Sequence, residues 1–187
     1  MTKMNLSAPL PFVGQKRMFA KEFIKVLDQF PDDTVFVDLF GGSGLLSHIT
    51  KRMKPTSTVV YNDFDNYRFR LAHIPHTNKL LADIRTLVGD SVPKHKAIKG
   101  KLRECVLKRI EEEEASVGYV DFITLSSSLM FSMKYKLSVE EMSKEVLYNN
   151  IRKNGYPESL DYLEGLEIVS CDYKEVYNQL LLSDKID

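Results

Sequence analysis

Residues 34–40 (TVFVDLF) run without a break into Gly41-Gly42-Ser43-Gly44. β-branched and aromatic residues at that density predict a buried strand. Glycines at its end predict a turn where bare backbone can approach something else closely. Residues 45–53 then have helical character and stop before Pro55, and residues 58–61 (TVVY) read as a second strand closed by Asn62-Asp63. Strand, glycine turn, helix and strand make a βαβ unit, which commits the chain to an α/β fold with a parallel sheet.

The rest of the chain is placed around that unit. Apolar Met18, Phe19, Phe23, Ile24, Val26, Leu27 and Phe30 predict an amphipathic helix over residues 16–30, broken by Pro31. The character changes from about residue 89 to 165. There Leu102, Val106 and Ile110 share a helical face, and helical patterns cover 122–135 and 139–153. With no alternating strand pattern and no internal repeat, this stretch reads as a helical insertion. Strand character returns over 166–171, followed by a helix over 174–182. The expected organisation is an α/β domain over 1–88, an insertion over 89–165 and a return to the α/β domain over 166–187.

Composition sets only broad limits. Apolar residues make up 43% and charged residues 28% of 187, as in ordinary globular domains. Lys plus Arg equals Asp plus Glu at 26 each, so net charge gives no sign of a polyanionic partner. The two cysteines, Cys105 and Cys171, cannot build a disulfide framework or a zinc ligand set and read as apolar fillers. His48, His73, His76 and His95 show no ligand spacing, so no metal is expected. No run approaches the roughly 18 apolar residues of a membrane span, and the N-terminus has no signal-peptide pattern. A cytoplasmic location is the default.

Glycines between a hydrophobic strand and a helix suit a ligand lying against the helix N-terminus. Asp63 stands about 20 residues past the turn, the spacing of an acid that bonds ribose hydroxyls. The plain alternative is a tight turn with Asp63 as a solvated strand end. Strand, helix, second strand and acid together favour the ligand. A nicotinamide dinucleotide would prefer a third glycine where Ser47 stands. Asp38 and Phe40 precede the glycines, and a carboxylate there can sit near the ammonium of an amino-acid moiety, which NAD lacks. The balance favours S-adenosylmethionine over NAD.

Pro11-Phe12-Val13-Gly14-Gln15-Lys16, a short way ahead of residues 36–44, resembles the opening of Dam-type and phage DNA adenine-N6 methyltransferases. The resemblance implies a Rossmann-like methyltransferase sheet. It also implies an N-terminal segment folded over the cofactor, with Phe12, Gly14 and Lys16 at the pocket and Lys16 near the methionine carboxylate. Asp63 in Tyr61-Asn62-Asp63 would hold the ribose, beside the glycine turn with Gly42 and Gly44. Asp172-Tyr173 after Ile168-Val169-Ser170-Cys171 resembles the strand end that contacts adenine, although Asp172 also suits an N-cap for the next helix. The insertion falls where the family carries its target-recognition region, which implies duplex DNA as partner and phage or restriction-modification biology.

One family motif is missing. These enzymes use Asp-Pro-Pro-Tyr, or Asn-Pro-Pro with an aromatic, to bond the target amino group and stack the flipped base. No two of the seven prolines here are adjacent. The sheet is therefore expected to be incomplete, the chain to be a truncated form, and its 187 residues to be inactive by themselves. A catalytically dead protein that binds S-adenosylmethionine and DNA is the alternative, and an NAD-binding Rossmann protein is a weaker one.

Lys94, Lys96, Lys99, Lys101 and Arg103, continued by Lys108 and Arg109, face only Glu104 in sequence. Such a cluster can neutralise phosphates. It can equally be a solvated face paired with the acids at 111–114. Lys134, Lys136 and Arg152 are further candidates for nucleic-acid contact. Nothing in the sequence specifies a recognition site or an oligomeric state.

Overall fold

The computed structural model of the chain describes residues 4–14, 16–131 and 135–182. A 3-10 turn at Lys16–Phe19 leads into α1 (Ala20–Leu27), then β1 (Phe36–Asp38), α2 (Leu45–Met53) and β2 (Val59–Asn62). Next come α3 (Tyr67–Ala72), α4 (Ile74–Val88), a 3-10 turn at Gly89–Ser91 and β3 (Ala97–Ile98). α5 (Gly100–Val117), α6 (Phe122–Leu129), α7 (Val139–Ser143) and β4 (Leu147–Tyr148) follow, before β5 (Glu167–Val169) and α8 (Tyr173–Leu182). Two compact units emerge, residues 1–72 with 159–187, and residues 73–158.

The first unit is the α/β domain that the βαβ signal requires. Its sheet has the order β1-β2-β5, and both pairings are parallel, with Val37 opposite Val60 and Tyr61 opposite Ile168. All four β2 residues are buried, as a central parallel strand demands. Ala20, Leu27, Leu45 and Ile49 of α1 and α2 form a core with Phe23, Ile24, Phe36 and Met53 against it. Each fully buried Leu or Ile contributes about 1.5–3 kcal/mol. The helix expected over 16–30 is shorter, because its first turn is 3-10 and the α-helix closes on Asp28, whose N–H caps it by donating to Ile24 O.

The second unit begins at His73, not at the expected 89, and ends at Glu158 rather than 165. The physical reason is α4. Its Leu80, Leu81, Ile84 and Val88 are buried along with Val106, Leu107 and Ile110 of α5. Arg109 of α5 reaches Asp83 at 2.8 Å and Glu113 at 2.6 Å, locking the two helices together. The bond to Glu113, outweighing the cost of burial, holds the Arg109 pKa above its ordinary value.

The insertion is helical as expected but contains strands as well. β3 and β4 pair antiparallel, Ala97 with Tyr148 and Ile98 with Leu147. Strands of two residues are too short to show alternation, and their partners lie far apart in sequence. The helical pattern over 122–135 is realised only to Leu129, and that over 139–153 only to Ser143. Asp121 caps α6 through Thr124 N–H, and Ser138 caps α7 through Glu141 N–H. Among the described residues no helix is long and apolar enough to cross a membrane.

Residues 4–14 are pinned to the first unit by polar contacts. Leu10 N–H donates to the Tyr67 hydroxyl at 3.0 Å, and that hydroxyl lies 3.2 Å from Leu10 O. Arg70 donates to Pro11 O at 2.8 Å. Asn5 N–H donates to His48 Nε2 at 3.0 Å. His48 Nδ1 lies 2.7 Å from Tyr162 O, which can only accept, so Nδ1 carries the proton and the ring is neutral. The ring is buried and stacks on Tyr162 at 4.5 Å.

Burial lowers the His48 pKa below its ordinary 6.5. The unfolded chain therefore binds a proton first as the medium is acidified. His48 thus contributes stability in full above pH 6.5 that is lost as pH falls below that value. Thermal melts from pH 8 down to about pH 5 should show this decline, and His48→Gln should flatten it. An unchanged slope in the variant would remove His48 as its source.

Candidate functional site

The glycine turn is shaped by the strand beneath it. Tyr61 is fully buried, and a Cβ on Gly41 would lie 2.3 Å from its ring and 2.9 Å from Asn62 O. Only glycine fits at 41. Gly42 and Gly44 have φ of 52° and 66°, and a Cβ on Gly42 would meet the Phe12 ring at 2.9 Å. The Tyr61 hydroxyl donates to Gly42 O at 2.7 Å and lies 3.0 Å from Asp63 Oδ1. Burial, reinforced by the Asp63 carboxylate, pushes the Tyr61 pKa far up, so the hydroxyl keeps its proton. Asn62 ties the neighbouring strands together. Its amide donates to Leu39 O at 3.1 Å and Cys171 O at 2.9 Å, and its Oδ1 accepts from Cys171 N–H at 3.2 Å.

Over this turn lies a cavity of about 330 Å³. Residues following β1 (Leu39, Phe40), ending or following β2 (Asn62, Phe64, Asp65) and following β5 (Asp172, Tyr173) all line it. That is the carboxyl end of a parallel sheet, where α/β folds place ligands. The N-terminal segment supplies Phe12, Val13, Gly14 and Lys16, while Gly41, Gly42, Ser43 and Leu45 form the floor. Lys16 Nζ donates to Phe40 O at 2.7 Å, and the rings of Phe40 and Tyr173 pair at 5.1 Å.

Seven of the residues singled out for a cofactor come together here: Phe12, Gly14, Lys16, Phe40, Gly42, Asp172 and Tyr173. Three do not line the cavity. Gly44 sits below it, its α-carbon facing Leu163 and the Tyr61 ring. Asp38 accepts the Ser47 hydroxyl at 2.7 Å. Asp63, expected to hold ribose, is buried and accepts from Tyr67 N–H at 2.5 Å and Arg68 N–H at 2.9 Å. Its carboxylate is taken up holding the first turn of α3. Two residues on, Asp65 is exposed and lines the cavity. Asp172 also accepts from Lys174 N–H at 2.9 Å, so its capping role stands beside its place at the cavity.

Asn62, Phe64 and Asp65 carried no signal beyond adjacency to Asp63. A strand-end acid can turn inward to cap a helix, and then the next acid along faces outward.

The basic candidates of the second unit divide. Arg103 donates to Ser143 O and, at 3.2 Å, to Glu145 O, so it braces the fold. Lys136 pairs with Glu145 at 2.7 Å, and Arg152 lies over the Tyr156 ring at 4.6 Å. Lys94, Lys96, Lys99 and Lys101 are exposed. Lys134 lies outside the described residues. Among the described residues no group of His, Cys, Asp and Glu could hold a metal ion.

Comparison with known proteins gives two matches. A model of the D12 class N6 adenine-specific DNA methyltransferases matches residues 12–162. A Haemophilus influenzae protein named "Putative methyltransferase" is 38% identical over 183 residues, covering 96% of this chain and 61% of that protein. The chain thus spans about three fifths of that relative's length. No solved structure matches significantly.

The two acids at the end of β2 should behave differently. Asp63→Asn turns an amide N–H₂ toward a backbone donor and should cost about 1–3 kcal/mol of stability. Asp65→Asn should leave the melting temperature unchanged. Equal melting temperatures for both variants would contradict the capping geometry.

Proposed function

We propose a reaction for this chain, which belongs to the D12 class N6 adenine-specific DNA methyltransferase family: methyl transfer from S-adenosylmethionine to the N6 amino group of an adenine in duplex DNA. The observation that carries the cofactor assignment is the cavity at the carboxyl ends of β1, β2 and β5, floored by bare glycine backbone. Its residues fit the cofactor's parts. Lys16 offers a cation for a carboxylate. Phe12, Phe40, Phe64 and Tyr173 offer faces for a flat base. Asp65 offers an acceptor for ribose hydroxyls, and Asp172 one for a ring amine. When bound, S-adenosylmethionine supplies an electrophilic methyl group on its sulfonium. The protein's part is to fix that ligand and keep bulk water from it. The NAD reading has less support, because Ser47 is buried against Asp38 where a dinucleotide fold prefers glycine.

The acceptor side follows from the family. The lone pair of an adenine amino group is delocalised into the ring, so transfer depends on acceptors for its protons and on a stacked, flipped base. No Pro-Pro-aromatic motif occurs in these 187 residues. We therefore assign this chain the cofactor pocket and the duplex surface, with Lys94, Lys96, Lys99 and Lys101 as phosphate contacts. The second reading is a protein that binds cofactor and DNA without catalysis. A cytoplasmic location accompanies either reading.

Calorimetry should show binding of S-adenosylmethionine or its demethylated product and none of NAD. Asp65→Asn should weaken that binding by about 1.5–3 kcal/mol, roughly tenfold or more in Kd. Preference for NAD would overturn the cofactor assignment.

Incubation of the 187-residue chain with labelled cofactor and unmethylated duplex should give background incorporation. A longer chain that adds the missing motif should raise it. Turnover by the 187 residues alone would mean that the acceptor machinery lies within them.

A further inference from the structure

We propose that His48 is a positioning residue for the cofactor, its neutral ring holding the N-terminal strap of residues 4–14 over the cavity. Protonation of that ring releases the strap and lowers cofactor affinity in acid. This rests on the S-adenosylmethionine reading and deepens it by naming a control on that same site.

The strap supplies Phe12, Val13 and Gly14 to the cavity wall, and contacts at both of its ends tie it down. At the far end Asn5 N–H donates to His48 Nε2 at 3.0 Å. Nearer the cavity Leu10 N–H meets the Tyr67 hydroxyl at 3.0 Å, and Arg70 donates to Pro11 O at 2.8 Å. The Phe12 ring then stands edge-on to Tyr67 at 5.7 Å, over Gly42. Of these anchors the one at Asn5 is made by an imidazole, the side chain that ordinarily changes charge between about pH 5 and 8. Leu6 and Ser7 beside it are exposed, so that end can lift. Pro9 and Pro11 each fix φ, so the strap transmits a displacement toward Phe12 instead of absorbing it. His48 also stands in the first turn of α2, its own N–H donating to Gly44 O at 2.8 Å. The ring therefore joins the strap to the helix that begins at the glycine turn.

The proton acts at one bond. Nδ1 already donates to Tyr162 O at 2.7 Å, and Nε2 is the acceptor. A further proton goes to Nε2 and turns it into a donor facing the Asn5 N–H. The bond to Tyr162 O survives, so the ring stays stacked on Tyr162 while the strap loses its hold. Burial, the largest influence, holds the His48 pKa below its ordinary 6.5. The bond to Tyr162 O favours the charge, Arg52 of α2 opposes it, and Asp161 of the segment before β5 favours it. Arg52 donates to Asp161 O at 2.6 Å and lies 3.8 Å from Glu164. Burial keeps the Tyr162 phenol protonated, and Tyr67 of α3 packs on its ring at 6.4 Å. Residues 4–14 carry no ionisable side chain. Cofactor affinity is therefore full at neutral pH and falls as pH drops below 6.5.

The test is calorimetry of the whole chain with the demethylated product of S-adenosylmethionine, from about pH 7.5 down to about pH 5.5. Asn5→Pro removes the N–H, leaves the ring untouched and lies away from the cavity lining. It should bind roughly threefold or more weakly than the wild type at the neutral end and equally at the acid end. The ligand's own ionisation cancels in that comparison. His48→Gln, whose amide oxygen accepts at any pH, should keep its affinity at the acid end, where the wild type has lost it. Hydrogen exchange, corrected for its intrinsic pH dependence, should show residues 4–14 losing protection in acid in the wild type and not in His48→Gln. Thermal melts verify that each variant folds, and either one suffices. Wild-type affinity in folded Asn5→Pro at the neutral end overturns the proposal while the cofactor reading stands. So does a wild-type pH profile in folded His48→Gln, or strap protection that does not change with pH. No binding by the wild type at the neutral end, or preference for NAD, overturns both readings.

Discussion

The site depends on the packing of the Tyr61 ring beneath Gly41. An aromatic residue at the third position of a buried parallel strand fills the space where a Cβ at 41 would stand. That contact sets the height of the glycine turn over the sheet. The hydroxyl, donating to Gly42 O, then holds the turn's backbone in place. Asn62, the next residue, fastens the loops after β1 and β5. Two consecutive side chains thus fix all three strand ends, and the cavity is the space those ends enclose. A turn so tightly held has little motion left to lose.

A second economy lies in the placement of acids. A buried carboxylate needs donors, and Asp63 takes two backbone N–H groups at the start of α3. That satisfies two N–H groups that have no partner within the helix and leaves the cavity to Asp65 and Asp172. In the second unit the same principle separates bracing cations from surface ones. Arg103 and Arg109 are engaged with carbonyls or carboxylates, while the lysines nearby remain in solvent. Arginine's planar fork suits the first role and lysine's hydrated ammonium the second.

The α/β class, β1, α2 and β2 were legible in the sequence because each is local. Strand composition, glycine turn and helix periodicity reside in consecutive residues. Phe12, Lys16, Phe40 and Tyr173 were legible through motif resemblance. The membership of the D12 class family agrees with that resemblance. The β3–β4 ribbon was not legible, since two-residue strands carry no period and pair across the whole of the intervening helices. Neither was the edge of the second unit at His73, because α4 has an ordinary helical pattern that does not say which core will take it.

What the sequence by itself determined is the set of possibilities. It placed a glycine turn at the end of a buried strand, an acid at the end of the next, and a basic stretch in a mainly helical insertion. What only the tertiary structure decided is which side chains line the cavity. Asp63 and Asp65 are two residues apart and chemically identical, yet one caps α3 and the other lines the cavity. Chain direction after β2 makes that choice, and it is set by where α3 packs. Likewise His95 and Asn150 meet only because β3 and β4 pair. Local pattern reports propensity, whereas side-chain direction depends on contacts between distant segments, which no window of sequence contains.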